Sequence, residues 1–330
     1  MENIRNTSGL AEIGGDARRQ YIDAQATFVA WESAGKAAAE VRGGMYWKLQ
    51  AGTEYLIRTS PRNTQKSLGP RSAENETIHE KFIARKAQAE ERVTALAEML
   101  VRHQRMNRAL FVGRAPVILV NILNALARAG IADHFTVVGT HALYAYEAAA
   151  GVRFDPPDAM ATRDVDLLWD TRKRISLVSR MKLLGSSMLG PLQKVDPSFE
   201  IRPDRRYTAV NSNGFEVDII RRMAEDNDPH PLQVTESEDE FWAVQAQNAG
   251  VLLNAPQFSA MIVSPSGYMA RMDTVSPVVF ASFKRWQAVQ PNRDALKRTR
   301  DVLQATLVER LVTEYLPQLM SGDPNTKVSP

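Results

Sequence analysis

Three acidic residues stand in segments that would otherwise read as buried strands. In "TRDVDLLWD", Thr162 to Asp170, one residue separates Asp164 from Asp166, and in "GFEVDII" Asp218 sits between Val217 and Ile219. Successive side chains of a strand point to opposite faces, so Asp164 and Asp166 share one face while Val165 and Leu167 take the other. Like charges so close repel, and each loses hydration, so the pair is costly unless a cation or hydrogen-bond donors lie between them. Three carboxylates on adjoining strands would give an oxygen-rich site for a hard cation, Mg²⁺ or Mn²⁺. Such ions activate an attacking hydroxyl and neutralise charge on a transferring phosphate. Glu216 shares a strand face with Asp218 and is an alternative third acid; the apolar neighbours Val217, Ile219 and Ile220 favour Asp218.

The elements that must position these acids follow from the flanking pattern. "HFTVVGT" is a short apolar strand running into Gly139-Thr140, and "HALYAYEAAAG" is a helix stopped at Gly151. At such a junction a missing Cβ lets backbone approach a ligand, and the first helical NH groups are offered to phosphate. Residues 171–195 read as helical, and two strands are joined by the Asn213-Gly214 turn before Asp218. "FSAMIVSPSGYMARM" reads as a hairpin turning at Pro265-Ser266-Gly267, followed by helices over 277–290 and 292–316.

Upstream, residues 16–40 read as an alanine-rich helix ended by Gly43-Gly44. Met45 to Leu49 and Glu54 to Thr59 form a hairpin or three-stranded ribbon. Lys48, Arg58, Arg62, Lys66 and Arg71 decorate this ribbon, with Tyr46, Trp47 and Tyr55 interleaved, a composition suited to nucleic acid, though the rings would serve equally to pack on a helix. A long charged helix follows Ser72 as N-cap and runs to about His103, with Ile78, Phe82, Ala89, Val93, Leu96 and Leu100 on one face. A further helix, about Pro116 to Arg128, is closed by Gly130.

The chain of 330 residues contains no cysteine, which removes disulfides, thiolate metal sites and cysteine nucleophiles. Its five histidines lack metal-ligand spacing, and neither a Gly-x4-Gly-Lys-Ser/Thr phosphate loop nor a Gly-x-Ser-x-Gly elbow occurs. His141 follows the Gly139-Thr140 turn, where it would either touch phosphate or face solvent. Residues 1–130 hold 19 Lys/Arg against 13 Asp/Glu, and residues 131–330 hold 22 against 25, so the positive excess is N-terminal and compatible with a polyanionic partner. The start lacks a leader pattern, and no apolar run approaches the ~20 residues that span a bilayer, so the expectation is a cytoplasmic protein with no membrane partner.

A glycine and small hydroxyl at a helix start, then Asp-x-Asp on a strand, then a lone Asp in an apolar strand resembles the polymerase-β nucleotidyltransferase superfamily. "VVGTHALYAYEAAAGVRF", "TRDVDLLWD" and "GFEVDII", with "FASFKRWQ" and "NRDALKRTRD", resemble more narrowly a bacterial group of nucleotidyltransferase-fold proteins related to AbiE-type toxin nucleotidyltransferases. The likeness covers about residues 45–310. It implies that Asp164, Asp166 and Asp218 are metal ligands and catalytic acids, Asp218 helping to activate the acceptor hydroxyl. By the same resemblance Gly139 and Thr140 hold the triphosphate. Lys284 matches a basic position that reaches nucleotide phosphate, the plain alternative being a solvated helix lysine. Arg293 and Lys297 are open to a structural or a phosphate-facing role. Two departures stand out: Gly139-Thr140 replaces the usual Gly-Gly or Gly-Ser, and the gap to Asp164 is longer than in minimal members.

These readings lead to an α/β (α+β) protein with a small mixed sheet forming a nucleotidyltransferase core flanked by helices. The expected organisation is an N-terminal helix-and-ribbon region over 1–110, a catalytic core over 111–225, a C-terminal hairpin and helical region over 226–316 that completes the cleft, and a disordered tail over 317–330. The expected reaction moves a nucleoside monophosphate from an NTP to an acceptor hydroxyl, with RNA, a tRNA end included, as candidate acceptor. An antitoxin-like protein is a candidate partner. The competing expectation is a non-catalytic nucleic-acid or protein-binding platform on the same fold, contacting its partner through Arg58, Arg62 and Lys66.

Overall fold

The computed structural model describes residues 9–225, 228–235 and 240–320. They form two compact units, residues 19–110 and residues 9–18 together with 111–320. The elements begin with β1 (Leu10–Glu12) and α1 (Gly15–Glu40), followed by the strands β2 (Gly44–Gln50), β3 (Thr53–Thr59) and β4 (Gln65–Pro70) and the helix α2 (Ala73–Ala109).

In the 19–110 unit, β2, β3 and β4 form the expected three-stranded antiparallel ribbon. Ser72 caps α2 by accepting from the Asn75 NH at 3.2 Å, and Glu74 and Glu76 in the first turn complement the helix dipole. The helix continues past the expected His103 to Ala109, because no glycine or proline interrupts it. Its partly or fully buried positions include 79, 82, 86, 89, 93, 96, 100, 103 and 107, which step by three and four along one face. Ile78 falls off that stripe and is exposed. Polar pairs fix one end of the helix: the Gln20 side-chain amide donates to Asn107 Oδ1 at 2.9 Å, and Thr27 Oγ1 lies 3.0 Å from His103 Nε2.

The other unit continues with α3 (Val117–Ala129), β5 (Phe135–Val138), α4 (Leu143–Ala150), β6 (Val152–Phe154), α5 (Pro157–Met160) and β7 (Asp164–Trp169). Next come α6 (Arg174–Leu184), α7 (Leu189–Gln193), β8 (Glu200–Arg202), β9 (Arg205–Val210) and β10 (Glu216–Arg222). The unit closes with β11 (Leu232–Gln233), β12 (Trp242–Ala246), α8 (Ala249–Asn254), β13 (Gln257–Val263), β14 (Met269–Val275), α9 (Pro277–Ala288) and α10 (Ala295–Tyr315). Among the described residues, nine strands make one mixed sheet in the order β11-β12-β10-β7-β5-β14-β13, with β9 paired to β10 and β8 to β9. This is the mixed α/β architecture expected from sequence.

Strand alternation sends the apolar side chains to two cores. Val165, Leu167 and Trp169 of β7 and Val217 and Ile219 of β10 pack with α3, α6 and α7 on one face. Leu168 of β7 and Ile220 of β10 join α4, α8, α9 and α10 on the other. Asp164, Asp166 and Asp218 have the parity of Leu168 and Ile220, so they point to the α9–α10 side, one step before the covered part of the sheet.

Several expectations are corrected here. The boundary at 225/226 is not a domain boundary: β12 pairs with β10 and β14 pairs with β5, so residues 111–225 and 226–316 share one sheet. Residues 9–18 belong with this unit, through pairing of β1 with β6. The single helical stretch over 171–195 is split at Gly185, which caps α6 in the left-handed conformation. Of the tail, Pro317–Leu319 forms a 3₁₀ turn with Leu319 packed on the core, so the expected disorder does not begin at 317; residues 321–330 lie outside the described residues.

Candidate active site

Pairing brings the three acids together. β7 and β10 run parallel with Asp166 opposite Asp218, and β5 runs antiparallel to β7 with Val138 opposite Asp166. One carboxylate oxygen from each of Asp164, Asp166 and Asp218 lies within 4.8 Å of the others. Two threonines orient the outer pair: Thr208 Oγ1 donates to Asp218 Oδ1 at 2.5 Å, and Thr162 Oγ1 donates to Asp164 Oδ1. Burial, reinforced by the charges of Asp164 and Asp218, pushes Asp166 up to about 7, against the opposing pull of Lys284 and Lys297. Asp218 is also raised, chiefly by burial, with the Thr208 hydrogen bond acting the other way. Glu216 is engaged elsewhere, its Oε1 accepting from Arg202 at 2.8 Å, so Asp218 completes the triad.

Gly139 adopts φ +69° directly after β5. A Cβ there would collide with Asp166 Oδ2, so the missing side chain makes room for the Asp166 carboxylate, a tighter reason for glycine than ligand approach alone. Thr140 is buried, and its Oγ1 accepts from the Gln304 side-chain amide at 3.0 Å. That amide also donates to Ala159 O at 2.7 Å. Because Thr140 Oγ1 accepts from Gln304, its own proton is left to donate into the cleft. His141 does not face solvent, the second of the two settings expected for it. It is buried against Phe215 and Tyr144, hydrogen-bonded to Asp164 O at 2.9 Å, and burial holds its pKa down at about 4.

Gln304→Leu would leave Thr140 Oγ1 and Ala159 O without their shared donor in a buried setting. The expected result is a loss of about 1–3 kcal/mol in urea unfolding at pH 7.5.

Lys284 is not a solvated lysine. It is buried, its Nζ sits 2.8 Å from Asp301 Oδ1, and Arg293 Nε holds Asp301 Oδ2 at 2.7 Å. Burial lowers the Lys284 pKa, opposed by Asp301. Lys284, Arg293, Lys297 and Arg300 all line the cleft of about 460 Å³ that contains Gly139, Thr140 and the three acids. Arg300 is read from sequence, with Arg293, Lys297 and Arg298, as a basic stripe or a solvated helix face; Gln304, one helical turn further on α10, was not singled out, and the spacing 293, 297, 300, 304 was the available signal.

The ribbon cations divide. Arg58 donates to Gly44 O at 3.1 Å and Arg42 O at 2.7 Å and lies over Phe82. Arg71 pairs with Glu54 and Glu76 and lies over Trp47, whose ring also meets His79. Those two arginines and Trp47 therefore build the ribbon–helix packing, while Lys48, Arg62 and Lys66 are exposed.

Oxygen-only donors on adjoining strands, an adjacent buried threonine hydroxyl and a row of cations across the cleft are a set whose chemistry suits a hard cation and a phosphorylated substrate. A family model described as Nucleotidyltransferase matches residues 118–327, and the chain belongs to that family. No curated protein and no solved structure matches the chain. Among the described residues no helix is long and apolar enough to cross a membrane.

Proposed function

We propose that the protein transfers a nucleoside monophosphate from an NTP to an acceptor hydroxyl with release of pyrophosphate, using Mg²⁺ or Mn²⁺ held by Asp164, Asp166 and Asp218. The observation that carries this reading is the convergence of three carboxylates, one of them pushed up to about 7 by burial and its neighbours, opposite a cluster of cations. Such a set is electrostatically incomplete, and hard divalent ions fit its donor chemistry. When bound, the cation supplies charge neutralisation and activation of the attacking oxygen.

The chain's own groups have separable tasks. Thr140 donates to a phosphate oxygen, while Arg293, Lys297 and Arg300 neutralise the pyrophosphate end. Lys284 is fixed by Asp301 within electrostatic reach of Asp166. Asp218, held by Thr208 and raised by burial, accepts the proton of the acceptor hydroxyl. The acceptor put forward is RNA, supported by the N-terminal positive excess and the exposed Lys48, Arg62 and Lys66. The motif resemblance supports a toxin- or defence-like role with an antitoxin-like partner as part of the same proposal.

The test uses NTPs labelled at the α or the γ position, with Mg²⁺ and total RNA. Nucleotidyl transfer moves the α label into RNA and releases the γ label as pyrophosphate; γ label in the acceptor would contradict it. Asp218→Asn is expected to slow transfer by about 10²-fold or more, whereas Glu216→Gln stays within about threefold, measured as initial rates.

A further inference from the structure

In-line displacement brings the attacking hydroxyl in on the side opposite the departing pyrophosphate. Across the sheet the order β12-β10-β7-β5 puts Gly139 and Thr140, which follow β5, on one side of the acids, and Asp218, on β10, at the other. An acceptor activated at Asp218 approaches from beyond β10. Two strands share that edge of β10. β9 covers it at Asp218, with Thr208 opposite, and β12 takes over at Ile220, with Val244 opposite. Ala209 of β9 and Ala243 of β12 point into the core on the α3 side. By alternation Arg206, Thr208 and Trp242 lie on the other face, the one that carries Asp218. Arg206 and Trp242 are both exposed, and they meet with the guanidinium carbon 5.7 Å from the ring centroid. Arg205, also exposed, acts electrostatically on Asp218.

We propose that the junction of β9 and β12 is the acceptor subsite and holds a single-stranded RNA end, one base stacked on Trp242 and a backbone phosphate met by Arg206 and Arg205. This rests on the nucleotidyl-transfer reading of the cleft. An indole stacks on any base, and arginine matches phosphate as a planar fork. Stacking needs a base freed from its neighbours, which a single strand offers and the interior of a duplex does not. A neutral acceptor would gain nothing from the two cations. The same edge explains how acceptor and NTP occupy one site without competing: the triphosphate lies toward β5 and α10, the acceptor toward β9 and β12.

The experiment titrates the full chain, in Mg²⁺, into a short fluorescein-labelled single-stranded RNA with a free 3′-hydroxyl, read by anisotropy, with calorimetry of inorganic triphosphate alongside. The expected result is saturable RNA binding that Trp242→Ala weakens about tenfold and Trp242→Phe largely retains. Arg206→Gln, a second variant that leaves the ring in place, weakens binding about threefold or more and lowers the slope of log affinity against log salt by about one. Triphosphate affinity is unchanged in all three variants. Absence of RNA binding in wild type, or RNA affinity unmoved in Trp242→Ala and Arg206→Gln, would overturn the subsite while triphosphate binding leaves the reaction standing. Failure of triphosphate to bind wild type would overturn the nucleotidyl-transfer reading, and this subsite with it.

Discussion

Asp166→Asn is expected to abolish nucleotidyl transfer, by about 10³-fold or more, and at the same time to stabilise the protein in the absence of divalent cations. The first effect follows from removing the central carboxylate of the triad proposed to hold the cation. The second follows from linkage. Asp166 titrates at about 7 in the folded chain, above its ordinary 3.8, because burial and the charges of Asp164 and Asp218 disfavour its anion. A carboxyl raised in this way supports folding fully below its unfolded pKa and loses that contribution as pH rises through the folded pKa. Above about pH 7, without a cation, ionised Asp166 works against folding by up to about 4 kcal/mol. Asparagine never ionises, so in chelator the melting temperature of Asp166→Asn should exceed wild type at pH 8 and converge with it near pH 4. With Mg²⁺ added at pH 8, wild type should gain stability and the variant should not. Thermal unfolding at the two pH values, with chelator and with Mg²⁺, reads both halves of this expectation.

Asp301→Ala should be among the most destabilising single substitutions in the chain. Asp301 is fully buried and is shared by Lys284 Nζ at 2.8 Å and Arg293 Nε at 2.7 Å. Removing it strands a buried ammonium, and breaking a buried pair from one side costs about 3–5 kcal/mol. A double-mutant cycle separates the stranded charge from the lost packing. Asp301→Leu combined with Lys284→Met should recover much of the loss, because neither charge then remains buried. Denaturant unfolding of the two single variants and the double variant measures it. A loss below about 1 kcal/mol for Asp301→Ala would contradict the view that this pair anchors α9 against α10.

The triad was legible because its signal is local. Period-two alternation put Asp164 and Asp166 on one face, and the apolar frame around Asp218 marked a second strand; both hold in β7 and β10. The choice between Asp218 and Glu216 needed the fold, since only the structure shows Arg202 occupying Glu216. Lys284 presents itself in sequence as one cation among many, and its burial depends on Asp301 arriving from a helix 17 residues on. Gln304 carries no charge or motif, so its relevance lies in which atoms it meets. The ribbon arginines illustrate the converse: alternation of rings and cations reads as a nucleic-acid surface until α2 is seen to lie against Arg58 through Phe82. The domain boundary at 225/226 was misplaced because a sheet that draws strands from both sides of it leaves no compositional break.

The central claim is that Asp164, Asp166 and Asp218 form a divalent-cation site rather than a set of salt-bridged surface acids. Electron paramagnetic resonance titration of Mn²⁺ into the purified protein at pH 8, with an α,β-methylene NTP present, tests it most directly. The account predicts saturable Mn²⁺ binding in wild type that is strengthened by the nucleotide and lost in Asp166→Asn. Mn²⁺ binding that is absent in wild type, or undiminished in Asp166→Asn, would contradict it.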